Sequence, residues 1–580
     1  MTQPDDSFGA LRSALQQQPS AASWEHVCAA LDTALRADPT RFEEQLVPYA
    51  DGVLRAWPPA LRVAPPRWYI PSPSPLLHHA RALRLDQPLT YLQAESLLAH
   101  EALDTLDTLI VPHHQYSPPP LHHQLLPALT HAAPALRDLD AHLMLGLSSH
   151  VAPLAQLACA PRLERLRLRG APLGQREGMA HLINAELGAL RALELPGCEL
   201  DAHSLHALSA APWFGQLTRL DLSGGAIGSA LWSALMVAGP LTALHIGRTS
   251  LDEQQLARVL RAACLADLDT LDISGNPLDH AGLRALPRAP FIGKLRALNL
   301  SGLHLRPAIS GLHEAAPALR SLELRGCNIS DACDEPLAAL VGQLDTLLLA
   351  GVRTVSQLQL TTRAALHPGM RFLLLQHEEA WRVLATEGPA DLAAMEELSL
   401  PSCALGSHGL RALCRWRLPA LRSLRLSLNG ISDPTALTTA DMPALSTLDL
   451  SSNRIEAPAA LSALPPSLQS LHLSNAWLKR DHIEALSSSP PPLLRHLDLS
   501  SNHLFDAGLA PLLTAQLPHL TSLNLSSCSI SLDLVREILA APLPSLHTLH
   551  IAQNGFSATS RDLLHLIAQA HERGVHVRAT

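Results

Sequence analysis

From residue 80 onward the chain repeats one pattern of apolar and polar positions, L-x-x-L-x-L-x-x-N-x-L, with Cys in place of Asn in some copies. LDTLDISGNPL begins at Leu268, LRSLELRGCNI at Leu319 and LRSLRLSLNGI at Leu421. LSTLDLSSNRI begins at Leu445, LRHLDLSSNHL at Leu494 and LTSLNLSSCSI at Leu520. Further copies start at Leu163, Leu190, Leu217, Leu241, Leu295, Met395, Leu468 and Leu546, and weaker ones at Ala80, Leu106, Leu136, Leu344 and Met370. Neighbours in the unbroken runs are 23 to 27 residues apart, which gives about 19 copies. A fixed step of that length marks a stacked repeat architecture rather than a series of separate globular cores.

Within each copy, L-x-L alternates with polar residues, so a short strand buries one face. A helical stretch follows, as in DAGLAPLLTAQLPHL and DHAGLRALPRAPF, with Asp506 and Asp279 placed to cap it. Strands stack ~4.8 Å apart while helices need ~8–10 Å. The expectation is a curved α/β solenoid with a parallel sheet on the concave side and helices on the convex side.

The L-x-x-L-x-L-x-x-N/C core followed by x-L-x-D-x-G-L-x-x-L resembles leucine-rich repeats of the helix-bearing, ribonuclease-inhibitor-like subtype. The resemblance implies a right-handed horseshoe over residues 80–580, degenerate at 80–162 and 344–394. It implies a fold rather than a function. Residues 1–65 carry no repeat, but SWEHVCAALDTALRAD places Trp24, Val27, Leu31 and Leu35 on one helical face. Two readings stay open there: a helical cap over the first repeat's core, which terminal repeats require, or an effector domain with the repeats as its targeting arm. Residues 66–79 read as a Pro-rich linker, SRDLLHLIAQAHERG as a closing helix, and Val575 to Val577 as a last strand.

Composition agrees with the repeat. Of 580 residues, 47% are hydrophobic but only 3% aromatic, so leucine and alanine supply the burial. The 43 basic and 52 acidic residues leave a net charge of −9, which disfavours nucleic-acid binding through a broad basic footprint. Only Lys294 and Lys479 are lysines. That arginine bias, with abundant Ala and Pro, fits a GC-rich and bacterial genome. The N-terminal stretch shows no apolar signal segment, and Ser229 to Ile246, the most apolar run, contains Gly239-Pro240 and fits a helix–turn–strand. Nine cysteines without a CxxC point to a reduced, cytoplasmic location. Specialised secretion as an effector stays open.

The Asn/Cys ladder comprises Cys198, Asn276, Cys327, Cys403, Asn429, Asn453, Asn502, Cys528 and Asn554. A small side chain there turns inward to hydrogen-bond backbone at the strand's end. Cys333 in ACDEP is similar to the cysteine and nearby acid of bacterial ubiquitin ligases that carry leucine-rich repeats, but it lacks their extra domain. His113, His114, His122 and His123 are dense, yet no carboxylate or Cys spacing completes a metal set. No HExxH, GxSxG or GxxxxGK occurs. The reading is non-enzymatic, without cofactor or metal.

Numbering the repeat from its first Leu, positions 3, 5 and 7 face away from the core. Position 5 holds Asp140, Arg167, Glu194, Asp221, His245, Asp272, Asn299 and Glu323, then Ser399, Arg425, Asp449, His472, Asp498, Asn524 and His550. Seven acids against two arginines predict an acidic stripe suited to a protein partner with a basic surface. Arginines at position 2 (Arg137, Arg191, Arg296, Arg320, Arg371, Arg422, Arg495) offer the alternative of a self-neutralised face. Between the charged runs, Leu348, Phe372 and Leu374 form an outward apolar patch if the register holds, and are buried if it slips by one residue.

Overall fold

The computed structural model describes residues 7–70, 72–85, 89, 91–112, 120–142, 148–278, 283–305, 311–329, 339–351, 367–376, 392–557 and 560–579. His113, His114, Asp279 and Cys333 lie outside the described residues, as do the side chains of His122 and His123. The chain forms two compact units, Met1–Leu271 and Asp272–Thr580. The division falls inside a repeat, not between the N-terminal segment and the repeats.

The first unit begins with helices Ser7–Leu15, Ala21–Ala37 and Val47–Leu54. Ser20 and Ser23 close a capping box at the start of the second helix. Its predicted face packs inward: Trp24, Val27 and Leu31 are buried and Leu35 half-buried. The Trp24 indole N–H donates to the Val63 carbonyl at 2.8 Å, and its ring lies 6.2 Å from that of Trp57 and 6.0 Å from that of Trp68. Val63 bridges to Ala82, and Ala64 donates to the Ala82 carbonyl at 2.8 Å. The helical segment therefore shares its core with the first strand.

Residues 66–70 and 72–79, in the stretch expected as a Pro-rich linker, carry buried side chains. Trp68, Tyr69, Leu76 and Leu77 are buried. The prolines start short 3-10 turns, Pro66–Trp68 and Pro75–His79, which turn the apolar side chains inward. Polar tips are satisfied too: the Trp68 indole N–H reaches Asp32 at 2.9 Å and the Tyr69 hydroxyl the Arg84 carbonyl at 2.9 Å. A Pro-rich composition concealed this because proline sets local backbone geometry and says nothing about burial.

From there, parallel strands run Ala82–Arg84, Thr108–Val111, Asp138–His142, Arg165–Arg169, Ala192–Glu194, Arg219–Asp221 and Ala243–His245. Their central leucines, Leu83, Leu109, Leu139, Leu166, Leu193, Leu220 and Leu244, stand in one register line. All are buried; each contributes about 1.5–3 kcal/mol of burial. Helices Ala202–Ser209 and Glu253–Val259 start on Asp201 and Asp252, which accept N–H bonds from Ser204 and Gln255. The apolar run at 229–246 resolves into helix Gly228–Leu235, a turn and strand Ala243–His245. Among the described residues, no helix is long and apolar enough to cross a membrane.

The second unit repeats the plan. Strands from Ala297–Asn299 to Thr548–His550 align Leu298, Leu322, Leu347, Leu373, Leu398, Leu424, Leu448, Leu471, Leu497, Leu523 and Leu549, and His576–Arg578 adds the terminal strand. Helices Gly406–Leu413, Arg480–Ser488 and Leu532–Ala540 alternate with 3-10 turns such as Thr435–Thr439, Pro458–Ser462 and Ala510–Thr514. Asp506 differs from its predicted role. It lies inside helix Phe505–Leu509, and its carboxylate accepts from the backbone N–H (2.8 Å) and hydroxyl (2.6 Å) of Ser531, the N-cap of the next repeat's helix.

Candidate functional site

A ladder of Cys and Asn side chains ties neighbouring strand ends together. Thiols of Cys198, Cys327, Cys403 and Cys528 donate to the carbonyls of Leu168, Leu300, Leu375 and Leu499 at 3.0–3.2 Å. Asn453 does more. Its amide donates to the Leu426 and Leu450 carbonyls, each at 2.9 Å, and its oxygen accepts the N–H groups of Asn429 and Ile431, each at 3.0 Å. Asn502 and Asn554 repeat this arrangement, and Asn429 accepts in the same way from Cys403 and Leu405 while donating to the Leu400 and Ser427 carbonyls. Asn276 donates to the Ile273 carbonyl at 3.0 Å. Burial pushes the Cys198 thiol up to about 12 and the Cys528 thiol up to about 11, so both stay protonated donors.

On the outward side of the first unit, Asp140, Arg167, Glu194, Asp221 and His245 are direct register partners in succession. Charges there answer one another. Arg165 and Arg167 pair with Glu194 at 2.8 and 2.9 Å, and Arg169 with Asp140 at 3.3 Å. Arg137 also joins Glu164 at 2.7 Å. Burial raises the Asp138 carboxyl despite Arg165 beside it. In this unit Asp140 and Glu194 belong to a self-neutralised network.

Position 5 has a second use that the sequence reading missed. The Asp221 side chain, only 7% exposed, accepts the Ser223 N–H at 2.9 Å. Asp272, Asn299, Asp449, Asp498 and Asn524 each accept the N–H of the Ser two residues on, at 2.8–3.1 Å. Asp and Asn are interchangeable here because the requirement is an acceptor that turns the chain out of the strand. The signal was present in the D/N-x-S strings. Burial raises the Asp498 carboxyl, but hydrogen bonds from His472 and Ser500 outweigh it and the net shift is downward.

Leu348, Phe372 and Leu374 keep register: Leu347, Leu349, Leu373 and Leu375 are buried toward the core, and Leu348 pairs with Leu374. The expected exposed patch is largely covered, however. Leu348 is 8% exposed, with Phe372 and Leu374 half-buried, since outward apolar groups one strand spacing apart shield one another. Glu323 remains half-exposed, 3.8 Å from Arg325.

A family model described as Leucine Rich repeat matches residues 491–513 and 516–533. Those spans hold two copies of the motif whose strand, ladder and register recur throughout both units. Over those two spans the chain is similar to leucine-rich repeats. The human leucine-rich repeat-containing protein 14 is 32% identical over 209 residues, covering 34% of this chain. The match spans 40% of that relative's own length. An internalin from Listeria monocytogenes has 19% identity over 62% of this chain and 86% of its own, with a TM-score of 0.34. The yeast Rad7 and Elc1 complex gives 18% identity, 57% and 81% coverage, and a TM-score of 0.38.

The repeat register also exposes side chains that composition did not single out. Leu428, Trp477 and Phe505 are 60%, 64% and 59% exposed in the turns that follow strands Ser423–Arg425, Ser470–His472 and His496–Asp498. Each has positive φ (57°, 59° and 54°), where an L side chain costs about 1–2 kcal/mol. The equivalents of Trp477 in other repeats include Gly430, His503 and Ser529. Arg454 lies 5.2 Å over the Trp477 ring. A bulky apolar residue at a position suited to Gly or Ser was the available signal.

Proposed function

We propose that this leucine-rich-repeat chain is a non-enzymatic scaffold that binds a protein partner across the open face of the sheet in its second unit. The observation that carries the reading is the unbroken register of outward residues from Asn299 through Arg425, Asp449 and Asp498 to Arg578. The ladder beneath holds those side chains before a partner arrives, so association orders little. Glu323, Asp449 and Asp498 favour a partner with basic residues opposite them, and the exposed Leu428, Trp477 and Phe505 supply apolar anchors at the strand exits. The net charge of −9 supports a protein rather than a nucleic acid as that partner.

The helix-bearing, ribonuclease-inhibitor-like subtype is supported by the return helices of seven to nine residues. A reduced, cytoplasmic setting is supported by Cys198, Cys327, Cys403 and Cys528, whose thiols serve the ladder as hydrogen-bond donors. The arginine bias supports a bacterial source, whereas the curated relatives named by the match are mammalian. Affinity capture with the full chain, followed by mass spectrometry, tests the scaffold reading. Recovery of a specific partner should fall at least tenfold with a Glu323→Arg, Asp449→Arg double variant. Undiminished recovery would overturn the proposed face.

A further inference from the structure

We propose that Asp51, His78 and His79 form a binding site for a divalent transition-metal ion of the Zn2+ class. The ion fastens the N-terminal helical segment to the turn that leads into the first repeat. Asp51 lies on helix Val47–Leu54, and His78 and His79 close the short helix Pro75–His79 just before strand Ala82–Arg84. Nδ1 of His79 is 2.9 Å from Oδ1 of Asp51. The two imidazole rings are 3.9 Å apart between centroids, and one donor atom from each of the three residues lies within 4.8 Å of the others.

A plain His–Asp hydrogen bond accounts for Asp51 and His79 but not for the second imidazole laid against the first. Nor does it satisfy His79, whose side chain is fully buried and whose Nε2 has no hydrogen-bond partner. His78 faces the Pro75 carbonyl through Nδ1. A carbonyl accepts and cannot donate, so Nδ1 carries the proton and Nε2 holds a free lone pair, the tautomer that metal-ligating histidines show. Burial lowers the His79 pKa, which keeps that ring neutral, while its hydrogen bond holds Asp51 ionised. The Arg62 guanidinium donates to the His79 and Leu54 carbonyls and also favours the Asp51 carboxylate. Its charge opposes the incoming cation.

Two nitrogens and one carboxylate oxygen, with a fourth position left for water, suit Zn2+ or Co2+ rather than Mg2+ or Ca2+. When Nδ1 of the neutral His79 ring takes the ion, its single ring proton moves to Nε2, and the ionised Asp51 turns its carboxylate from that N–H to the metal. Asp51 and His78 are half-buried and can close around the ion from the solvent side, whereas His79 is fixed by its surroundings.

The test is titration of the chelator-treated full chain with Zn2+, followed by calorimetry and thermal melting, with Co2+ absorption as a second readout. The expected result is a saturating rise in melting temperature and a tetrahedral Co2+ band. His78→Ala, at a half-exposed position, should weaken the tightest Zn2+ site at least tenfold and abolish the thermal shift. Asp51→Asn should do the same while the apoprotein stays folded. No thermal shift in the parent chain, or a shift unchanged in both variants, would overturn the assignment. Either outcome leaves the partner-binding reading of the second unit untouched.

Discussion

Replacing Asn453 by Ala removes five hydrogen bonds at a fully buried point of the ladder: three donated to the Leu426, Leu450 and Ser451 carbonyls and two accepted from Asn429 and Ile431. Each is worth about 0.5–1.5 kcal/mol net, and the partners are left buried without water, so a loss of about 3–5 kcal/mol is expected. Asn453→Cys sharpens the test. A thiol keeps a donor to the preceding strand, as Cys403 does to Leu375 at 3.1 Å, but accepts poorly. That variant should lose about 2 kcal/mol, roughly half the alanine effect. Unfolding of a repeat array need not be two-state, so amide hydrogen exchange at residues 429 and 431 is the local readout. Exchange about a thousandfold faster in the Ala variant, and ten- to a hundredfold in the Cys variant, is expected. Equal exchange in the two variants, or no change from the parent, would refute the ladder's energetic role.

Three further outcomes follow from particular residues. Burial and the nearby Arg578 push His550 down to about 4 from the ordinary 6.5; the unfolded chain therefore takes up a proton first, and stability falls as pH drops from about 6.5 toward 4. Denaturant melts near pH 7 and pH 5 should differ by about 1–2 kcal/mol, and His550→Gln should flatten that slope. Trp477→Gly relieves a positive φ at an exposed residue, so stability should hold or rise by up to about 1 kcal/mol, while partner capture drops; a destabilised variant would show that the ring packs. Cys198, Cys327 and Cys528 should resist thiol reagents in the folded chain and react after denaturation, as mass spectrometry of labelled peptides would show.

The repeat's period, its inward leucines and its Asn/Cys ladder were readable in the sequence because each is a local consequence of one strand repeated at a fixed step. The outward face was only half readable. Asp221 and Asp449 were legible as outward acids, but not as acceptors for Ser223 and Ser451. The stripe was read down a column of repeats, whereas that hydrogen bond runs along each strand. Pairing of Arg165 and Arg167 with Glu194 joins residues 27 to 29 apart and depends on side-chain rotamers. Burial of Trp68 and Tyr69 was hidden behind prolines. Asp506 capping the helix at Ser531 crosses from one repeat to the next, beyond the reach of a single-helix capping rule.

Carboxyl footprinting of the full chain with and without its captured partner addresses the open-face scaffold most directly. Protection should fall on Glu323, Glu397 and Asp449, with labelling of Glu484 and Asp533 on the helical side unchanged. Protection of Glu484 and Asp533, with Glu323 and Asp449 labelled as in the free chain, would contradict it.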